Sequence, residues 1–285
     1  MQVAIFTNQA TLSYNGTTVN SNIVTGNIVE VLAASKTAVG GTFSVGDDIT
    51  YIISITNSGA IPFTNVTVTD NLGEYDFGTG TLTPLDYVEG SAVYYQNGVL
   101  QAAPTVASAA PLTFTGITVP AGGNAMIIYE AVANGFAPPV AGGTITNTVT
   151  INGGGITAPV TAEETVTATE GPRLSITKGL SPVIVTDNSP LTYTFTIQNT
   201  GNAEAIATDN VVITDTFNPV LSNISVTLDG VILPPTAYTY NEVTGEFATV
   251  PGAITVPAAT FEQDAVTGNY TVTPGVTVVT VTGTV

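Results

Sequence analysis

The feature that most narrows what this chain can fold into is an internal repeat. Lys36, Tyr51, Asn57 and Gly59, within SKTAV…DITYIISITNSG, recur as Lys178, Tyr193, Asn199 and Gly201 within TKGLS…PLTYTFTIQNTG, and each pair is 142 apart (178 minus 36, 199 minus 57). A fixed internal period means one structural unit written twice. Inside each copy Val, Thr, Ile and Tyr dominate the ordered-looking runs, while Gly, Pro and Asn punctuate them. That pattern belongs to pleated, half-buried strands joined by tight turns, so the expected fold class is all-β, with two tandem sandwiches. The length of 285 residues suits two such domains.

The copies share their strand order further on. NVTVTDNL, with Asp70, matches NVVITDTF, with Asp215, and YYQNGVL matches TLDGVIL around the hairpin turns at Gly98 and Gly230. TVPAGGNAMIIYEAV, ending at Val132, aligns with TVTPGVTVVTVTGTV, ending at Val285. The first copy then runs on through a hairpin, TITNTVTINGGGITAPVTAEETVTATE, that the second copy lacks. A similar hairpin opens the chain, with Thr7-Asn8 on Thr146-Asn147 and Asn15-Gly16 near Asn152-Gly153.

The expected organisation is therefore residues 1–32 as donor strands, 33–172 as a complete sandwich, and 173–285 as a sandwich without its last strands. An unfinished sandwich exposes an apolar groove and unpaired backbone groups, and a lone hairpin cannot bury its own apolar face. Each defect fits the other. Strand addition between identical subunits would unite them, with Ile5, Ala10, Leu12, Ile23, Val24 and Ile28 setting the register. Such an interface is heterologous and propagates as a head-to-tail homopolymer. The alternative is that residues 1–32 fold back onto their own second domain; two stacked sandwiches would hold those ends apart, which favours the intermolecular form.

The segments GDDITYIISITNSGAIPFTNVTVTDNL and SPLTYTFTIQNTGNAEAIATDNVVITDTF resemble the bacterial and archaeal surface-repeat family called domain of unknown function eleven. The resemblance covers both copies and implies immunoglobulin-like sandwiches in stalk and envelope proteins, with a structural or adhesive role and no catalysis. It places the chain outside the cell, on a cell or spore surface. A monomeric adhesin whose loops, such as 71–92 or 232–262, contact a host protein, matrix receptor or glycan is the other function of this kind.

The only two lysines occupy equivalent places, each followed by a strand-end Asp, and each closing hairpin offers an Asn. Lys36, Asp70 and Asn147 form one set; Lys178, Asp215 and Asn8 of a neighbour form the second. This order is similar to that of collagen-adhesin A-type domains, whose resemblance implies an internal isopeptide bond: the Lys amine attacks the Asn carboxamide beside the Asp, and ammonia leaves. Burial must free a neutral amine for that attack. Closing the loop of roughly a hundred residues from Lys36 to Asn147 would contribute about 4 to 5 kcal/mol by analogy with disulfides. A Lys178–Asn8 bond would make the polymer covalent. The competing reading is a pair of Lys–Asp ion pairs, with the Asn side chains satisfying strand-edge backbone groups. Asn57 and Asn199 are expected to serve turns.

Composition removes other classes. With 3 Lys+Arg against 21 Asp+Glu, a net charge of -18 repels nucleic acid. No His or Cys is present, so nucleophile–base triads, disulfides and the usual zinc or copper sites are excluded, and no metal or cofactor is expected. No leader pattern and no apolar run of membrane-spanning length is visible. Tyr87, Tyr94 and Tyr95 are expected in the core or on a strand face.

Overall fold

The computed structural model describes residues 3–285, with the side chains of residues 3, 4 and 27–29 outside the described set. It is all-β, and the described residues hold no α-helix. The first sandwich has two sheets. One runs β13 (Val99–Leu100), β12 (Val93–Gln96), β16 (Gly123–Ala133), β7 (Asp48–Asn57) and β5 (Leu32–Ala38), with β11 (Leu85–Tyr87) also on β16. The facing sheet runs β14 (Thr105–Ala109), β15 (Leu112–Val119), β8 (Phe63–Asp70), β17 (Thr144–Gly153), β18 (Val160–Ala168) and β6 (Thr42–Phe43). A small hairpin, β9 (Tyr75–Phe77) and β10 (Gly80–Leu82), extends from it. The core follows from two-residue alternation: Ile49, Tyr51, Ile53 and Ile55 of β7 face Val66 and Val68 of β8 and Val149 and Ile151 of β17.

In the second copy one sheet is complete: β19 (Leu174–Ser181), β20 (Pro190–Asn199), β28 (Gly275–Thr284), β22 (Ser222–Leu228) and β23 (Val231–Ile232). Its order repeats that of β5, β7, β16, β12 and β13. The facing sheet has three strands, β21 (Thr214–Thr216), β25 (Glu246–Thr249) and β24 (Tyr238–Tyr240), matching β8, β15 and β14. Among the described residues nothing occupies the positions of β17, β18 and β6. The consequence is visible on β21: where β8 spans Phe63–Asp70 between two neighbours, its counterpart holds strand form over three residues only, because one edge has no partner among the described residues.

The hairpin turns agree with the sequence. Asn97-Gly98 and Asp229-Gly230 both have positive φ at each residue, 48 and 78° in one and 48 and 81° in the other, as type I′ turns require. One alignment is corrected. Gly123 lies opposite Asn57 and Gly275 opposite Asn199, so β16 and β28 correspond at an offset of 152 (275 minus 123) rather than 153 (285 minus 132). A one-residue slip would turn the inward faces of β28 outward, so the burial of Val279 and Val281 selects the shorter offset.

A further hairpin, β26 (Thr260–Gln263) and β27 (Tyr270–Thr273), was not expected. It reaches the first sandwich: Gln263 Nε2 donates to the Tyr75 hydroxyl at 2.9 Å, and the Tyr270 amide donates to the Gly135 carbonyl at 3.0 Å. Asn202 Nδ2 adds bonds to the carbonyls of Pro139 and Thr169, at 3.0 and 3.1 Å. The two sandwiches are thus joined end to end by polar contacts.

The N-terminal segment forms a long hairpin: β1 (Val3–Asn8) pairs with β4 (Val24–Val29), and β2 (Thr11–Tyr14) with β3 (Thr17–Asn20), turning at Asn15-Gly16. Leu32 already pairs with Asn57, so the last residue of the 1–32 segment belongs to the first sandwich. The hairpin leaves that sandwich where the Ser58 amide donates to the Val31 carbonyl, at the end opposite the second copy. Its strands pair only with one another among the described residues, and Ile5, Phe6, Leu12, Ile23 and Val24 are all more than half exposed.

Candidate functional site

In the first sandwich four strands from both sheets deliver polar side chains to one point in the core. β5 sends Lys36 inward, between Ala34 and Ala38 on the same face. β8 ends on Asp70, β17 carries Asn147 two residues before Val149, which lies opposite Asp70, and β16 places Tyr129 beside Tyr51. Lys36, Asp70, Tyr129 and Asn147 are all buried.

Their contacts form a chain. Lys36 Nζ meets Asp70 Oδ2 at 2.5 Å, and the Tyr129 hydroxyl donates to the same oxygen at 2.6 Å. Asn147 Nδ2 donates to the Tyr129 oxygen at 3.0 Å. The remaining carboxylate oxygen, Asp70 Oδ1, accepts from the Leu72 amide at 3.0 Å. Because Tyr129 has one proton and gives it to Asp70, its oxygen can face only a donor. That fixes the amide nitrogen of Asn147 toward it and leaves Asn147 Oδ1 buried with no partner.

Lys36 also sits over the Tyr51 ring, 4.9 Å from its centroid. Burial nevertheless dominates, lowering the Lys36 pKa to about 8 against the opposing pull of the Asp70 charge and hydrogen bond. Burial, reinforced by the Asp70 charge, holds the Tyr129 hydroxyl well above its ordinary range, so it stays protonated. The cluster thus holds an amine that is easily made neutral, a carboxylate able to take its proton, and a carboxamide with an unsatisfied oxygen. An ion pair and an unpaired amide oxygen are costly to keep dry, and joining amine to carboxamide would remove the buried ammonium.

The second copy places Lys178 and Asp215 in contact on the equivalent strands, with Lys178 Nζ over the rings of Tyr193 at 4.4 Å and Phe217 at 5.6 Å. Here the lysine side chain is 41% exposed, against 0% for Lys36. Among the described residues nothing covers it from the side where β17 and β18 lie in the first copy. Asn8 does not reach it within one chain: it is exposed on β1, opposite Val24. Val281, opposite Tyr193, fills the position that Tyr129 fills opposite Tyr51.

Around this vacancy β19 is exposed along its whole length, with Leu174, Ile176 and Leu180 uncovered, and Val212 is exposed beside the frayed edge. The hairpin carries a complementary row. In the matched register Phe6, Asn8, Ala10 and Leu12 fall on Ile145, Asn147, Val149 and Ile151, all four of which are buried in the first sandwich. Within β1, alternation puts Phe6 on the face of Asn8 and Ile5 on the other, so Phe6 joins the expected row and Ile5 faces away from it. Val24 and Ile23 are exposed on the return strand side, and the Ile28 side chain lies outside the described residues.

Asn57 and Asn199 pin turns. Each donates from Nδ2 to two carbonyls, Ile61 and Pro120 in one case and Ala203 and Pro257 in the other, and each accepts a glycine amide on Oδ1. Tyr94 is buried, and Tyr87 packs edge-on to Phe114 and tilts against Tyr129. The sequence did not single out Tyr129 for the site; its signal is the Tyr51–Tyr129 pairing across β7 and β16, which is invisible until the strands are registered.

No protein family's sequence profile matches the chain, and no curated protein matches it. Among solved structures, the chain is similar to a family 123 glycoside hydrolase from Clostridium perfringens (13% identity, TM-score 0.32), over 49% of this chain and 27% of that one. It is also similar to BcpA, the major pilin subunit of Bacillus cereus (13% identity, TM-score 0.36), over 95% of this chain and 73% of that one. The pilus backbone RrgB from Streptococcus pneumoniae matches at 13% identity and TM-score 0.35, over 85% and 55%. All three scores are low. Among the described residues no helix is long and apolar enough to cross a membrane.

Proposed function

We propose that the chain is the structural subunit of an extracellular surface filament, in which the hairpin of one copy completes the second sandwich of the next. The observation that carries this is the fit between an open groove and an unpartnered hairpin. Leu174, Ile176 and Leu180 on one side, and Phe6 and Leu12 on the other, are each worth about 1.5–3 kcal/mol when fully buried. Backbone pairing along the open edge of β21 adds direction and register. Donor and acceptor lie at opposite ends of the subunit, so each addition leaves a new groove free and growth continues head to tail.

The first sandwich acts as a spacer, locked by an amide between Lys36 and Asn147. Asn8 of the incoming hairpin lies in register with Asn147 and so meets Lys178 and Asp215 in the groove. The chain performs no turnover; its one reaction is on itself. Membership of the domain of unknown function eleven surface repeats, and a place on the cell or spore surface, belong to the same reading.

Negative-stain microscopy tests it. The full chain should form long fibres, and a chain lacking residues 1–32 should give single particles with the first sandwich still folded. Fibres from the shortened chain, or isolated two-lobed particles from the full one, would overturn the polymer, and the second outcome would favour an adhesive module.

A further inference from the structure

We infer that Tyr129 is the proton relay of the amide-forming reaction, carrying a proton from Asp70 to the leaving nitrogen of Asn147, and that the second copy, lacking this hydroxyl, holds its neighbour without a covalent bond. The inference rests on the reading of Lys36 and Asn147 as a bond-forming pair.

The geometry supplies each step. Lys36 passes a proton to Asp70 across 2.5 Å and becomes the neutral amine. Nζ attacks Cγ of Asn147, a C–N bond forms, and the carbonyl electron pair moves to Oδ1. For the old C–N bond to break, Nδ2 must gain a proton, since an amide anion is a very poor leaving group. The group in contact with Nδ2 is the Tyr129 hydroxyl, at 3.0 Å, and the same hydroxyl lies 2.6 Å from the protonated carboxyl. Tyr129 gives its proton to Nδ2 and takes the one on Asp70. Ammonia leaves, the surplus proton on Nζ returns to Asp70, and the products are one amide, one ammonia and a neutral acid. The ammonium and carboxylate charges cancel, so atoms and charge balance.

The neighbouring ring isolates this role. Tyr51 is as deeply buried and stacks on Tyr129 at 5.6 Å, and its hydroxyl also lies near the Asn147 amide, yet it makes no hydrogen bond to Asp70 and so has no second proton to draw on. In the second copy Tyr193 keeps the Tyr51 position while Val281 replaces Tyr129. Lys178 and Asp215 are then present, but the strand position that supplies the relay hydroxyl carries an aliphatic side chain, and Tyr193 stands only where Tyr51 does. Subunit junctions should accordingly be reversible in denaturant while each subunit stays internally closed.

Cell-free synthesis, sampled over time by intact mass after denaturation, tests the relay. Wild type and Tyr51→Phe should each lose one ammonia at similar rates, and Tyr129→Phe, checked for folding by protease resistance, should do so about 100-fold more slowly or not at all. Boiling in detergent should release wild-type fibres to monomers. If Tyr129→Phe closes as fast as wild type, the relay is wrong and the bond reading survives. If wild type keeps its ammonia, the bond reading itself falls. Should Tyr129→Phe fail to fold, the wild-type rate decides: proton transfer to the leaving group requires slowing in deuterated water, and an unchanged rate overturns the relay. Detergent-resistant ladders would overturn the claim about the junction.

Discussion

The two sandwiches carry the same Lys–Asp pair on the same strands, and they treat it in opposite ways. In the first, β17 and β18 close the barrel over Lys36, water is excluded, and the pair becomes a costly buried cluster that includes a carboxamide and a hydroxyl. In the second those strands are absent from the described residues, Lys178 reaches solvent, and the same two residues amount to a screened ion pair over aromatic rings. The Lys–Asp pair is shared, so the difference in its exposure lies in what covers it. A strand pair decides whether the lysine is buried or reaches solvent.

The largest expected contrast is in the lysines themselves. In the unbonded background Asn147→Ala, Lys36→Ala leaves Asp70 buried without its charged partner, which should destabilise the first sandwich by about 3–5 kcal/mol in denaturant unfolding. Equal costs for Lys36→Ala and Lys178→Ala in the monomer would break the comparison. A control sharpens it: Asn57→Ala strips three hydrogen bonds and Asn199→Ala four, so each should cost about 1–3 kcal/mol in its own domain's transition, Asn199→Ala slightly more.

The pH dependence comes next. In an unbonded form, Asn147→Ala, the Lys36 pKa falls from 10.5 unfolded to about 8 folded. Between these values the unfolded state binds more protons, so stability should rise with pH, by about 2 kcal/mol from pH 8 to pH 10. Above that, ionisation of Tyr51 and Tyr129 in the unfolded chain opposes it, since burial raises both in the fold. Calorimetry of the first transition should show the rise; a flat profile would mean that Lys36 is not desolvated. Smallest is Lys178→Ala, at about 1 kcal/mol or less in the monomer, because the side chain is 41% exposed.

The sequence carried much of this, for identifiable reasons. Two-residue alternation and Asn-Gly or Asp-Gly turns are local, so the strands and their hairpins could be read directly, as could the equivalence of Lys36 with Lys178. The gap in the second copy was legible because the first copy supplied a template. What stayed hidden depends on register or on non-local packing. Tyr129 enters the site only through its place opposite Tyr51, and the offset of β28 turned on a single residue. The β26–β27 hairpin has no counterpart in the first copy and is fixed by contacts with Tyr75 and Gly135 of the other domain.

The absence of cysteine allows the central claim to be tested with engineered disulfides. In the first sandwich Ile151 lies opposite Val68, which maps to Leu12 of the hairpin opposite Ile213 in the groove. Leu12→Cys in one chain and Ile213→Cys in a second, mass-tagged chain should yield the mixed disulfide dimer on mild oxidation. No mixed dimer, together with a cyclised monomer when both cysteines are placed in one chain, would show the hairpin folding back into its own groove and would contradict assembly between subunits.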